Sequence, residues 1–379
     1  MLRVMTIVGT RPELIRLCRT IAKLDEFCDH RLVHTGQNYD FELNEVFFQD
    51  LNIRKPEAFL NAAGETPAQT IANVISAADR AMAEWSPEAL LILGDTNSSL
   101  AAISAKRRRI PIFHMEAGNR CFDQRVPEEI NRKIVDHVAD INLTYSKIAR
   151  EYLLREGFPP EQVIVTGSPM REILEHFRPQ IQASTVLQRL DLVPREFFVV
   201  SVHREENIDS PLMFDRLLEL LNRLAARYEQ RIIFSTHPRT RKRLDGHSES
   251  LHPLIELHKP FGFFDYIQLQ QNARVTLSDS GTISEESSIL NFPALNLREV
   301  HERPESFEEA VVMMVGLSAD RVIQGINIVE HQLRGDKRSL QLVGDYSPTN
   351  VSEKVLRIIH SYTDFVNRRI WRQPEGLSG

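Results

Sequence analysis

Residues 91–132 read LILGDTNSSLAAISAKRRRIPIFHMEAGNRCFDQRVPEEINR. With Ala89 and Leu90 in front, the stretch holds two short unbroken apolar runs, ALLILGD and IPIFHMEAG, separated by a helix-forming segment. Strands buried on both faces read as continuous apolar runs, and two of them joined through a helix make a parallel βαβ unit. Ligands of such sheets gather outside the carboxyl ends of the strands. Asp95 and Glu116 follow the two runs directly, and Glu128 stands at the start of a helix opened by Pro127. A strand-end acid also serves as an N-cap or an ion-pair partner. Three on one predicted edge suggest an active site, because crowded carboxylates raise one another's proton affinity and so supply acid and base states.

Outward from this stretch the rhythm continues. RVMTIVG, HRLVHTG, DINLTYS and QVIVTGSP read as further strands of the first half, with helices from about Pro12, near 41–50 and near 97–107. The pattern restarts with FFVVSVH, RIIFSTH, LIELHKP, RVTLSDSG and PALNLR, with helices near 211–228 and 282–290. Alternation of this kind predicts two doubly wound, Rossmann-like α/β domains facing a cleft. We place the first at 1–167 and the second at 168–358. The stretch SEKVLRIIHSYTDFVNRRIW (352–371) is helix-patterned, and 359–379 is expected as a separate C-terminal helix that packs back on the first domain. Gly167, Pro169, Pro179 and Pro194 mark the connection between the domains.

A length of 379 residues, 42% apolar and 26% charged, suits two packed cores. The net charge of -6 gives no basic face for nucleic acid, so an anionic ligand must be met by a few placed cations. Three cysteines without metal-ligand spacing argue against a disulfide framework and a zinc site, and a reducing cytoplasm is expected. The opening MLRVMTIVGTRPE is too short an apolar stretch for a signal peptide, and no run of about 18 apolar residues follows.

Several other residues stand where a ligand would meet them. In LSDSGTISEE (277–286), Ser280, Gly281 and Thr282 open a helix and can present N–H groups and hydroxyls to a diphosphate. An ordinary capped helix fits the same residues. Glu286, one turn in, suits ribose hydroxyls or solvent. Arg11 and Arg16 lie at the start of the first helix, facing phosphate or simply water. His203, beside Arg204 in SVHREEN, suits phosphate contact or proton transfer, and equally a structural hydrogen bond. His114 and His237 hold similar strand-end positions. Arg303, in the loop EVHERPE, could close on a ligand. KRRR (106–109) reads as a solvated helix end.

Taken in order, GTRPE (9–13), TGQ (35–37), GDT (94–96), HMEAG (114–118), PEEINR (127–132), HREEN (203–207), DSGTISEE (279–286) and ERPE (302–305) resemble the non-hydrolysing UDP-N-acetylglucosamine 2-epimerase family through nearly the whole chain. The resemblance implies a glycosyltransferase-B-type pair of domains, no metal or nicotinamide cofactor, and a homodimer. It implies a reaction that inverts C2 of a UDP-2-acetamido sugar. A base takes the C2 proton while UDP leaves C1, and UDP then adds back with protonation on the opposite face. Carried over by position, Asp95, Glu116 and Glu128 match the family's catalytic acids and bases, and His203 an essential group near the diphosphate. Arg11, Arg132, Ser280 and Gly281 match positions holding phosphate and sugar. Tyr266 falls where the family stacks a ring on uracil. Glu286 matches the ribose-binding acid and Arg303 the motif arginine, while Arg16 replaces a lysine.

The departures cluster around the sugar. The usual EAGLR is EAGNR here, DSGGIQEE is DSGTISEE, HRRE is HREE, and NRCFDQRVP (119–127) is about two residues short of the usual length. These features resemble the branch that makes UDP-N-acetyl-L-fucosamine from its L-talo isomer for O-antigen or capsule. The family's regulatory second site uses a Gln-His pair and an arginine. Gln37 is followed by Asn38 here, and Asn73 stands near the arginine position, so that site is not carried over.

Overall fold

The computed structural model describes residues 1–36, 48, 50–245 and 251–372. They form two compact units, residues 1–175 with 347–379 and residues 176–346. The expected first break at 167 therefore moves to 175. The return to the first unit comes at 347, before the last long helix begins, rather than at 359. Gln37, Asn38 and most of the helix expected near 41–50 lie outside the described residues.

The first unit holds a seven-stranded sheet in the order β3-β2-β1-β4-β5-β6-β7. Its strands are β1 (Arg3–Val8), β2 (Asp29–His34), β3 (Ala58–Phe59), β4 (Ala89–Leu93), β5 (Ile112–Met115), β6 (Ile141–Thr144) and β7 (Val163–Val165). Every pairing is parallel. All five residues of β4 and all four of β5 are buried, as their unbroken apolar sequence requires. The helix Arg11–Phe27 starts on a capping box, Thr10 with Glu13, with a proline in its first turn. The helix Val351–Arg369 buries Val355, Ile359 and Val366 in this unit. There Cys28 Sγ lies 3.5 Å from His360 Nε2, and Lys354 Nζ donates to the Thr166 carbonyl at 2.9 Å.

The second unit repeats the plan with six parallel strands in the order β10-β9-β8-β11-β12-β13. These are β8 (Phe197–Ser201), β9 (Arg231–Ser235), β10 (Ile255–His258), β11 (Thr276–Ser278), β12 (Ala294–Asn296) and β13 (Met313–Met314). One sheet face packs Phe198, Val200 and Leu277 on Leu217, Leu221 and Leu224 of the helix Pro211–Tyr228. In both sheets the order reverses beside the first strand, so each has a switch point: between β1 and β4, and between β8 and β11. Among the described residues, no helix is long and apolar enough to cross a membrane. No group of His, Cys, Asp and Glu there is arranged to hold a metal ion.

Candidate functional site

In the first unit, the switch point and the neighbouring β5 end carry the acids. β4 ends at Leu93, and Gly94, at φ +71°, turns the chain so that Asp95 follows on the edge. β5 ends at Met115, and Glu116 takes φ +65°, a backbone conformation rarely adopted by residues other than glycine. A methyl group built on Gly94 would lie 3.9 Å from Glu116 Oε2, so the Glu116 carboxylate sits beside the turn that carries Asp95. Glu128 lies in the first turn of the helix Pro127–Val138 and is half-buried.

Each of the first two acids has its own guanidinium. The buried Arg16 bonds Glu116 Oε2, and its cation lies 5.7 Å from the centre of the Tyr145 ring. Asn119 Nδ2 donates to Glu116 Oε1 at 3.3 Å. Arg132 donates to Asp95 Oδ2 from Nε at 3.1 Å and Nη2 at 2.5 Å, and to the buried Glu129 from Nη1 at 3.0 Å. Arg16 and Arg132 thus each contact a carboxylate of their own domain, Glu116 for the first and Asp95 for the second.

Near Asp95, Glu13 has its proton affinity raised. Burial pushes it up to about 7, a nearby Asp95 adds to the rise, and hydrogen bonds from Thr96, Gly9 and Thr10 oppose it. Thr96 Oγ1 reaches Glu13 Oε1 at 2.5 Å and the Thr10 amide reaches Oε2 at 3.1 Å. In the sequence, Glu13 is marked only by the capping-box spacing Thr10-x-x-Glu13. Arg11 begins the same helix and is half-buried.

The second unit builds its switch point on Asp279, fully buried at the end of β11. Its carboxylate accepts the His203 amide at 3.1 Å, the Arg204 amide at 2.9 Å and Asn207 Nδ2 at 3.1 Å, and lies 3.2 Å from His203 Nδ1. This fixes His203 and Arg204 beyond β8, with the His203 side chain 41% exposed. Ser280, Gly281 and Thr282 precede the helix Ile283–Leu290. The Ser280 and Thr282 hydroxyls are 3.0 Å apart, and a methyl on Gly281 would lie 3.9 Å from Arg204 Nη2 and 3.8 Å from Glu302 Oε2.

Glu286 is buried and accepts from Gln270 Nε2 at 2.7 Å. Tyr266, on the helix Phe263–Asn272, bonds the Ser201 and Ser278 side chains at the ends of β8 and β11. Its hydroxyl is held well above its ordinary range by burial and then by Glu286. Arg303 is buried, with Nη2 3.4 Å from Glu285 Oε2. The structure therefore gathers His203, Ser280, Gly281, Thr282, Glu286 and Tyr266 about one switch point, and Asp95 and Glu116 at neighbouring strand ends of the other sheet, with Glu128 in the first turn of the helix that carries Arg132. Asp279 appeared in the sequence only as part of the DSG turn, since its anchoring role depends on β8 and β11 being neighbours.

Comparison with known proteins matches the geometry. A family model described as UDP-N-acetylglucosamine 2-epimerase matches residues 22–360. The structure of UDP-N-acetylglucosamine 2-epimerase from Rickettsia bellii is 50% identical, with 98% of this chain and 100% of that chain covered and a TM-score of 0.91. The Methanocaldococcus jannaschii UDP-N-acetylglucosamine 2-epimerase is 30% identical over 362 residues, 93% of this chain and 97% of its own. A Methanocaldococcus jannaschii UDP-GlcNAc 2-epimerase structure in complex with UDP-GlcNAc and UDP is 29% identical, covers 94% and 99%, and has a TM-score of 0.87. A UDP-2,3-diacetamido-2,3-dideoxy-D-glucuronate 2-epimerase from Pseudomonas aeruginosa is 30% identical over 329 residues, 85% of this chain and 91% of its own.

Proposed function

The chain belongs to the UDP-N-acetylglucosamine 2-epimerase family, and from that premise we propose that it inverts C2 of a UDP-2-acetamido sugar by eliminating UDP and adding it back. It is an isomerase acting on a UDP-sugar. The observation that carries the mechanism is the pair Asp95 and Glu116 on adjacent strand ends, each held by an arginine. A carboxylate aimed by a guanidinium is a positioned base, and a second acid beside it can deliver a proton to C2. Glu128 supplies a third such group.

The C2 proton is weakly acidic, so its removal must coincide with stabilisation of the departing diphosphate. We assign that task to the second domain. His203, Ser280 and the N–H groups at Gly281 and Thr282 meet the diphosphate, with Arg303 as a further cation; Arg11, in the first domain, is assigned to phosphate as well. Tyr266 and Glu286 take the uridine, and a homodimer is the assembly that the family resemblance carries.

For the sugar, we favour UDP-2-acetamido-2,6-dideoxy-L-talose going to UDP-N-acetyl-L-fucosamine, on the strength of the shortened NRCFDQRVP segment (119–127). UDP-N-acetylglucosamine going to UDP-N-acetylmannosamine is the second reading. The Pseudomonas aeruginosa relative, named for a diacetamido glucuronate, supports a family that tolerates altered sugars. The test is incubation with each UDP-sugar in deuterium oxide, which should place deuterium at C2 of the true substrate. Absence of exchange with every UDP-sugar removes the epimerase reading. Turnover that demands an acceptor and leaves the C2 proton in place points instead to a glycosyltransferase.

A further inference from the structure

His114 lies on β5, two residues before Glu116, and is fully buried. Both ring nitrogens face acceptors. Nε2 lies 2.8 Å from the Gly94 carbonyl oxygen, and Nδ1 lies 3.0 Å from Asp136 Oδ1 in an ion-pair contact. A carbonyl oxygen carries no proton to give, so Nε2 carries its own. Nδ1 has no hydrogen-bond partner of good geometry, but it lies 3.0 Å from the Asp136 carboxylate, which favours a proton on that nitrogen too. We propose that His114 is a positioning residue, held as an imidazolium, that ties the turn bearing Asp95 to the turn bearing Glu116. This role rests on the epimerase reading for its effect on turnover, but the charge state does not.

The surroundings support the assignment. Asp136, on the helix Pro127–Val138 and fully buried, accepts the Gly118 amide at 3.2 Å and Arg120 Nη1 at 2.7 Å. Arg120 in turn holds Glu156 bidentately, at 2.8 Å from Nε and 2.8 Å from Nη2. Two cations and two anions therefore alternate along His114, Asp136, Arg120 and Glu156, so the imidazolium completes a neutral set. Other groups facing His114 are Asp95, whose charge favours the protonated ring, and Asn142, its register neighbour on β6. Burial alone lowers the affinity of His114 for its second proton, but Asp136, the Gly94 carbonyl and Asp95 together turn the shift upward.

The mechanical consequence is specific. The Gly94 carbonyl immediately precedes Asp95, and the Gly118 amide closes the turn in which Glu116 is held at φ +65°. Gly118 has φ +79°, and a methyl there would fall 2.5 Å from the Ala149 carbonyl, so this turn has little room to rearrange. One buried ring thus links the turns that carry the two acids. Misplacing a reacting group by about an ångström costs about 100-fold in rate.

The test begins with the intact chain. Nitrogen-15 spectra of histidine-labelled protein should show both His114 ring nitrogens still in the imidazolium pattern at a pH above the ordinary histidine value of about 6.5. A neutral tautomer below that value overturns the proposal. In parallel, C2 deuterium exchange in His114→Ala should show kcat reduced about 100-fold, with KM and UDP affinity within about threefold of wild type and partial rescue in His114→Gln. A folded His114→Ala with wild-type kcat, or equal losses of kcat and UDP affinity, also overturns it. If the wild type exchanges no UDP-sugar, the epimerase reading fails, and the spectra still decide the charge.

Discussion

Arg132 joins two carboxylates that have different fates: its Nε and Nη2 grip Asp95 at 3.1 and 2.5 Å on the open edge, while its Nη1 bonds the buried Glu129 at 3.0 Å. A planar fork can serve both, and an ammonium cannot. Arg132→Lys is therefore expected to lower kcat for C2 exchange by about 10- to 100-fold, since Asp95 loses its aim. It should also cost about 1–3 kcal/mol of stability through Glu129. Steady-state kinetics and denaturant unfolding read the two effects separately; an unchanged kcat would remove the fork from the mechanism.

Glu116→Gln is expected to abolish deuterium exchange while keeping UDP affinity within a few fold. It also leaves the buried Arg16 facing a neutral amide, so a loss of about 3 kcal/mol in stability should accompany it, because one partner of a buried pair is gone. Glu128→Gln, in the first turn of its helix, should likewise abolish exchange. Intact turnover in both variants would take these acids out of the chemistry.

Glu13 makes stability depend on pH in the direction opposite to most carboxylates. Its folded value of about 7 exceeds the ordinary 4.5, so the folded chain binds this proton more tightly than the unfolded chain does. That contribution is complete at low pH and declines as pH rises through about 7. Glu13→Gln carries no such proton. The stability of wild type relative to the variant should therefore fall by about 3 kcal/mol as pH rises from about 5 to about 8, followed by chemical denaturation. A constant difference across that range would argue against a protonated Glu13.

Asp279→Ala strips three donors of their acceptor inside the second domain: the His203 and Arg204 amides and the Asn207 side chain. We expect a loss of about 2–4 kcal/mol, because buried donors left unmade carry their full desolvation cost. UDP affinity should fall by about tenfold or more as His203 and Arg204 lose their placement. Calorimetric titration with UDP below the melting transition measures this, and unchanged affinity would detach the turn from the nucleotide.

The sheets were legible because parallel strands leave a compositional mark: ALLIL and FFVVS admit few other readings once Gly and Asp close one and Ser and His the other. The edge strands β3 and β13 left none, since Ala58–Phe59 and Met313–Met314 are too short for any period to show. The three acids were placed by the rule that function follows strand ends. Their partners were not, because Arg16 meets Glu116 from 100 residues away and Arg132 meets Asp95 across 37. Such pairings depend on how strands order themselves. The buried polar face Glu129, Arg132 and Asp136 does carry a sequence signal, since spacings of three and four place all three on one side of a helix.

The acid-bearing unit is discontinuous, since residues 347–379 belong to it and residues 176–346 do not. On the ribosome the middle unit is whole as soon as residue 346 has emerged, whereas the first must wait with part of its apolar surface uncovered until the helix Val351–Arg369 arrives. The unit whose first segment is made before the middle unit thus finishes folding after it. A nascent chain stalled before that helix would carry every proposed catalytic acid and still be a substrate for quality control.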